Sequence, residues 1–237
     1  MIYSAFKHRV LFISNNNKSD QTIWRLAVPQ QQKEDIVFQR VFDSRNTKLH
    51  TSKSKIYTIC KMEHAGGLLA QTLPAFEVGA EIKIEKFNAF NFCKKIRNFT
   101  HTHITPDHGK AISLTKSFKS LDLNGIWVTC GSEPVEWDLI INFVKRGCNF
   151  MVNWGMTEIG PCAINTTFKN TEKVLEYKKR SIEGTLMGDN VYCDTKLEDG
   201  TLHVKGDISV FGNNWFNTKD KVKKNNNNEF YIQGRAE

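Results

Sequence analysis

Two polar segments hold the residue types best suited to chemistry. Gly131-Ser132-Glu133-Pro134 offers a glycine turn, and Trp154-Gly155-Met156-Thr157-Glu158-Ile159-Gly160-Pro161 offers an aromatic plate, a hydroxyl and a carboxylate. An aromatic face can stack on a base, and a hydroxyl can donate to a phosphate oxygen. A carboxylate is the usual protein ligand of a magnesium ion that keeps several waters. The combined inventory suits a nucleotide with its metal. Taken singly, each residue has a plainer reading: Trp154 as a core aromatic, Glu158 as a solvated charge, Asp220 as a turn residue.

The elements that would position these residues can be read around them. Residues 125–130 and 149–153 are apolar runs of strand length, and residues 135–146 have helical spacing, with Leu139, Ile140, Phe143 and Val144 on one face and Gly147 as a stop. This is a βαβ unit. If its strands are neighbours, both polar segments leave their carboxyl ends and line one cleft, where open α/β sheets bind ligands.

Upstream, residues 56–60 read as a strand, 67–78 as a helix, 81–85 as a strand, 90–99 as helical and 101–105 as extended, closed by Pro106. From about residue 181 short extended segments take over at 191–196, 201–205 and 230–233, divided by Asp199-Gly200 and by the run Asn225-Asn226-Asn227-Asn228. The predicted fold class is α/β, a parallel-rich sheet with crossover helices followed by a small β subdomain. The predicted organisation is an α/β core over residues 1–180 and the small β subdomain over 181–237.

A chain of 237 residues with 40% hydrophobic composition can bury a real core, which excludes a disordered tail or a disulfide mini-protein. Lys and Arg outnumber Asp and Glu by 33 − 25 = 8, which suits a nucleic-acid surface or anionic ligands. The cations occur as short pairs (Lys94-Lys95, Lys179-Arg180, Lys223-Lys224) without a nucleic-acid fingerprint, so no nucleic-acid partner is expected. No apolar run has membrane-spanning length, and Lys7-His8-Arg9 interrupts the start before a signal-peptide core develops; a cytoplasmic protein is expected. The six cysteines lack zinc or dithiol spacing and read as reduced, mostly buried thiols. His101, His103 and His108 could be imagined as metal ligands, but alternation along a strand explains their placement equally well.

With these residues assembled, the chain resembles the acyl-adenylate-forming (AMP-binding) enzymes: acyl-CoA synthetases, luciferases and peptide-synthetase adenylation domains. Trp154 to Glu158 is similar to the aromatic-Gly-x-Thr-Glu motif, and Gly131 to Pro134 to the Gly-Gly-Glu-Pro adenine loop. His64-Ala65-Gly66-Gly67 resembles the His-x-x-Gly segment beside the acyl pocket, with Gly79-Ala80 downstream. Trp215 to Asp220 resembles aromatic-x-Thr-Gly-Asp, and Gly234-Arg235 the Gly-Arg of the domain hinge.

The resemblance covers about residues 55–237. It implies that Trp154 stacks on adenine, Thr157 touches the α-phosphate, Glu158 holds Mg²⁺, Asp220 accepts both ribose hydroxyls and Arg235 sits at the hinge near ribose or phosphate. His64 would guard the carboxylate substrate. The implied nucleotide site is Gly131, Ser132, Glu133, Pro134, Trp154, Gly155, Thr157, Asp220 and Arg235, with Thr157, Glu158 and His64 as the catalytic set. ATP and Mg²⁺ would be the cofactors, a carboxylic acid the substrate and coenzyme A a candidate acceptor.

Two departures from the family pattern matter. Where the family has a Ser/Thr/Gly-rich loop ending Pro-Lys-Gly, this chain has Ser14-Asn15-Asn16-Asn17-Lys18-Ser19-Asp20 after a strand Val10-Leu11-Phe12-Ile13, and Lys219 replaces the glycine of Thr-Gly-Asp. The resemblance further suggests a truncated relative, lacking the N-terminal subdomain and the C-terminal lid, that activates an acid with a second chain supplying one or the other. The alternative is a catalytically degenerate nucleotide- or partner-binding module of the same fold.

Overall fold

The computed structural model describes residues 2–5, 10–13, 50–206, 209 and 211–236. The segment 14–20, which departs from the phosphate loop of the resembled pattern, lies outside the described residues. Strands β1 (Ile2–Ala5) and β2 (Val10–Ile13) pair antiparallel in a two-stranded sheet of their own.

The larger sheet is built from β3 (Lys55–Thr58), β4 (Glu81–Ile84), β5 (His101–Ile104), β6 (Trp127–Cys130), β7 (Asn149–Met156), β8 (Gly160–Phe168) and, beyond β9 (Thr185–Gly188), the short β10 (Asn190–Val191). Its order is β10-β8-β7-β6-β5-β3-β4. The strands from β4 to β7 are parallel, whereas β8 and β10 return antiparallel. Parallel neighbours need crossovers, and helices supply them. A π-turn (Leu68–Thr72) runs into α1 (Leu73–Glu77), and α2 (Ala89–Lys95), α3 (Pro106–Ser113) and α4 (Trp137–Val144) follow; α5 (Thr171–Lys179) comes after β8.

Cross-strand register gives the sheet two unlike faces. The ladder Tyr57, Thr102, Val128, Phe150, Phe168 crosses five strands, and all but Thr102 belong to the main apolar core with Phe92, Ile112, Leu139 and Phe143 from the helices. Thr102 fits there because its hydroxyl donates to the Tyr57 carbonyl at 2.8 Å. Helix α4 buries Leu139, Ile140, Phe143 and Val144, as its spacing predicts, each worth about 1.5–3 kcal/mol of transfer free energy. The opposite ladder is Thr58, His103, Thr129, Met151, Thr167, with His103 Nδ1 and Thr129 Oγ1 2.8 Å apart.

Several expectations are corrected. Residues 67–78 form a π-turn and a single short α-helical stretch rather than one helix, and Gly160 and Pro161, expected in a loop, open β8. Pro106 does end β5, but by opening α3, which the sequence reading did not contain. Thr105 Oγ1 caps that helix by accepting from the His108 amide at 3.2 Å. His108 is thus tied to a cap, and His101 and His103 share one face of β5. Among the described residues no group of three or more His, Cys, Asp or Glu could hold a metal. All six cysteines are free, five of them buried, and burial pushes the Cys60 thiol up to about 12. No helix among the described residues is long and apolar enough to cross a membrane.

The second sheet joins β11 (Asp194–Glu198), β12 (Thr201–Lys205), β13 (Phe216–Lys224), β14 (Phe230–Arg235) and β9, in the order β11-β12-β13-β14-β9, all antiparallel. Its inner face places Met187, Leu202, Val204, Val222 and Phe230 against Ile159, Ala163 and Ile164 of the β7–β8 hairpin. A buried charge reinforces this junction. Glu229, with 1% of its side chain exposed, accepts from Arg180 Nε at 2.7 Å, from Asn225 Nδ2 at 2.7 Å and from the Tyr231 hydroxyl at 2.8 Å. The Arg180 guanidinium lies 4.1 Å from the Tyr177 ring centre.

Removing one member of a buried pair leaves the other uncompensated. Glu229→Gln is expected to lower unfolding free energy by about 3 kcal/mol, and adding Arg180→Met to recover part of that loss, as read by urea denaturation. A Glu229→Gln variant as stable as wild type would show that the pair contributes nothing.

Candidate functional site

The two polar segments emerge side by side because β6 and β7 are adjacent and parallel, with Cys130 opposite Val152. Gly131 therefore faces Asn153. A Cβ at position 131 would lie 2.5 Å from Asn153 Oδ1 and 2.6 Å from its carbonyl oxygen, so only glycine fits. Asn153 is itself held, its Nδ2 donating to the Cys130 carbonyl at 3.0 Å. Asn153 was not among the residues singled out from the sequence, since nothing in its type marks it.

Beyond Gly131 the chain turns outward. Ser132, Glu133 and Pro134 are exposed, and Ser132 is left-handed at φ 77°. Strand β7 continues three residues past its expected end, so Trp154 and Gly155 are strand residues and the turn begins after Met156. Gly155 sits at a register shift between β7 and β8; a Cβ there would lie 2.4 Å from the Gly160 carbonyl oxygen. Thr157 is exposed and Glu158 half-buried in this tight turn, at the same edge of the sheet as Ser132.

Asp220 approaches from the other sheet. Between the pairs Thr201–Lys221 and His203–Asn217, β12 advances two residues while β13 advances four, so β13 bulges around Thr218, Lys219 and Asp220. The bulge is fixed by the Thr218 hydroxyl, which donates to the Leu202 carbonyl at 2.8 Å and accepts from the Asp220 amide at 3.1 Å. Lys219 occupies the bulge at φ 60° with its side chain exposed. Asp220 is only 4% exposed.

The Trp154 indole Nε1 donates to Asp220 Oδ2 at 2.9 Å, and Arg235 Nε lies 3.5 Å from Oδ1. Burial raises the Asp220 carboxyl above its ordinary value, while Trp154 and Arg235 pull it back. Arg235 is paired with Asp220 across β13 and β14 and remains largely exposed. The structure thus joins Trp154, Asp220 and Arg235 in one contact group, with Gly131 beside the residue preceding Trp154.

His64 stands apart. It lies in the turn after β3, exposed, at the same sheet edge but two strands from β6, roughly 10 Å by strand spacing. The following Gly66 packs under His103, whose Nε2 would lie 2.6 Å from a Cβ at that position. The π-turn beyond it carries Gln71, fully buried, whose Oε1 has no partner among the described residues.

No protein-family profile matches the chain. Among curated proteins it is similar to an indoleacetate–CoA ligase of Aromatoleum aromaticum, 24% identical over 206 residues, covering 78% of this chain and 40% of that protein. Among solved structures it is similar to the anthranilate CoA ligase AuaEII in complex with anthranoyl-AMP, with TM-score 0.70, 16% identity, and coverage of 86% of this chain and 43% of that one. ATP-bound MatB from Rhodopseudomonas palustris gives TM-score 0.69 at 15% identity, over 86% of this chain and 44% of that one. The N-terminal domain of FACL13 from Mycobacterium tuberculosis gives 0.67 at 16% identity, over 84% and 55%. The chain spans less than half the length of the curated relative it matches.

Two stability predictions follow from the site's geometry. Left-handed backbone costs an L-residue about 1–2 kcal/mol, part of which glycine returns through its freer unfolded state. Lys219→Gly should gain up to about 1 kcal/mol in urea denaturation and Lys219→Ala nothing; equal stability of the two would deny strain at the bulge. The second concerns Asp220. Because its folded-state pKa is raised, its contribution is present at low pH and lost as pH rises from the ordinary aspartate value through the folded one. Asp220→Asn keeps an oxygen for the indole and removes that loss, so its stability relative to wild type should rise as pH increases from about 4. A difference independent of pH would exclude the raised carboxyl.

Proposed function

We propose that this chain is a member of the AMP-binding, acyl-CoA synthetase-like superfamily that binds ATP and activates a carboxylic acid as its acyl-adenylate. The observation that carries the reading is the convergence of Gly131, Trp154 and Asp220 from β6, β7 and β13 at one edge of the structure. An adenine would lie over the Gly131 and Trp154 segments, and its ribose would meet Asp220. Thr157, exposed at the β7–β8 turn, is free to donate to an α-phosphate oxygen, and the exposed guanidinium of Arg235 brings positive charge to the same edge.

In the reaction a carboxylate oxygen of the acid attacks the α-phosphorus in line, the bond to the bridging oxygen breaks, and pyrophosphate leaves. Little covalent work falls to the protein; it positions the two anions and offsets their charge. Glu158 would hold the magnesium. A single half-buried carboxylate suits an ion whose other ligands are phosphate oxygens and water. Magnesium, when bound, neutralises charge on the triphosphate and the leaving pyrophosphate.

The acid is best sought among aromatic carboxylic acids, the class named by the indoleacetate and anthranilate ligases to which the chain is similar. Coenzyme A is the acceptor to test. A second reading, a nucleotide- or partner-binding module without chemistry, is favoured by Ser132 and Lys219, side chains standing in left-handed positions where the resembled motifs carry glycine.

ATP–pyrophosphate exchange with a panel of carboxylic acids, with and without lysate to supply a second chain, separates the two. Acid-dependent exchange supports activation; AMP binding without exchange under any condition supports the binding module. Within the first reading, Glu158→Gln should weaken magnesium-dependent ATP binding at least tenfold more than magnesium-free AMP binding, measured by calorimetry. Equal losses would remove Glu158 from the metal.

A further inference from the structure

We infer that Trp154 is a positioning residue for ribose recognition, acting through its indole N–H on the Asp220 carboxylate. The inference rests on the reading above that the cleft takes an adenine nucleotide. It goes beyond that reading in assigning to the edge of the ring, and not only to its face, a role in discriminating the sugar.

The geometry is specific to tryptophan. The indole is half-buried, packed against the apolar cluster between the sheets, so its Nε1 has one direction in which to donate, and Asp220 Oδ2 lies there at 2.9 Å. Phenylalanine would offer a ring in the same place with no donor. Asp220 in turn sits on a bulge, where the regular pleat no longer sets the direction of the side chain, and its burial works against its charge. Two groups from different strands act on both problems: the Trp154 indole from β7 donates to Oδ2, and the Arg235 guanidinium from β14, which donates to the Thr218 carbonyl at 3.2 Å, pairs by charge with Oδ1 at 3.5 Å. An ionised carboxylate has about four lone-pair sites. With Oδ2 held by the indole and Oδ1 drawn toward the guanidinium, the plane of the group is set and the remaining lone pairs can accept two vicinal hydroxyls. A carboxylate free to rotate would have to be ordered by the ligand itself, and affinity would fall accordingly.

The test compares AMP with 2′,3′-dideoxy-AMP by calorimetry on wild type, Trp154→Phe, Asp220→Asn and the double variant, each checked for folding by its melting transition. The ratio of the two dissociation constants measures what the hydroxyls contribute. Trp154→Phe is expected to reduce that ratio roughly tenfold while changing dideoxy-AMP affinity by less than about threefold, the size of one hydrogen bond to a charged group. Asp220→Asn is expected to reduce it at least as much, and in the Asp220→Asn background Trp154→Phe should have no further effect on the ratio. Equal weakening of both ligands by Trp154→Phe would show that the ring only stacks, and overturn the inference. Full discrimination retained in Asp220→Asn would overturn it even if Trp154→Phe does not fold. Absence of AMP binding by the wild type would instead overturn the nucleotide reading on which it rests.

Discussion

The arrangement depends on the contact between the two sheets, because the candidate site has no single owner. Gly131 and Trp154 belong to the parallel-rich sheet and Asp220 and Arg235 to the antiparallel one. What fixes their separation is an apolar seam around Ile164, Leu202 and Val222, backed by Glu229 buried under Arg180, Asn225 and Tyr231. Apolar burial supplies adhesion without direction. The Arg180–Glu229 pair supplies direction, since a guanidinium and a carboxylate satisfy one another only in a narrow range of geometries.

Against that background, the legibility of the sequence divides along a physical line. Local signals were readable: the apolar face of α4, the glycine that stops it, and the strands on either side of it are written in spacing. So was the juxtaposition of Gly131 and Trp154, because a βαβ unit leaves little freedom in where its strand ends go. Non-local features were not. The start of strand β8 reads as a loop because Gly160 and Pro161 open it, and α5 lacks any strong pattern beyond its Asn170 cap. The bond from Trp154 to Asp220 joins residues 66 positions apart in different sheets, and no local pattern announces it. The resemblance brought both residues to notice, but as separate contacts to a nucleotide.

Part of the backbone strain lies where the site is. Ser132 and Lys219 are two of the five non-glycine residues at positive φ among those described, and they stand on opposite sides of the cleft. A fold selected for stability alone would place glycine or asparagine there. Asp220 follows the same logic, being buried against the preference of its own charge. Stored cost of this kind is common where a protein holds groups ready for a ligand, and here the surrounding sheet pairings hold it in place.

The close approach of Gly131 to Asn153 also bears on how such a chain can change over generations. The side chain at 153 occupies the space that any substituent at 131 would need, while its amide tethers the end of β6. Shrinking 153 would not open that space, because its backbone carbonyl oxygen alone lies 2.6 Å from where a Cβ at 131 would stand. The constraint is therefore one-sided: the neighbouring backbone holds 131 to glycine, whereas 153 can change at the cost of the tether on Cys130. Among divergent relatives, glycine at 131 should outlast asparagine at 153.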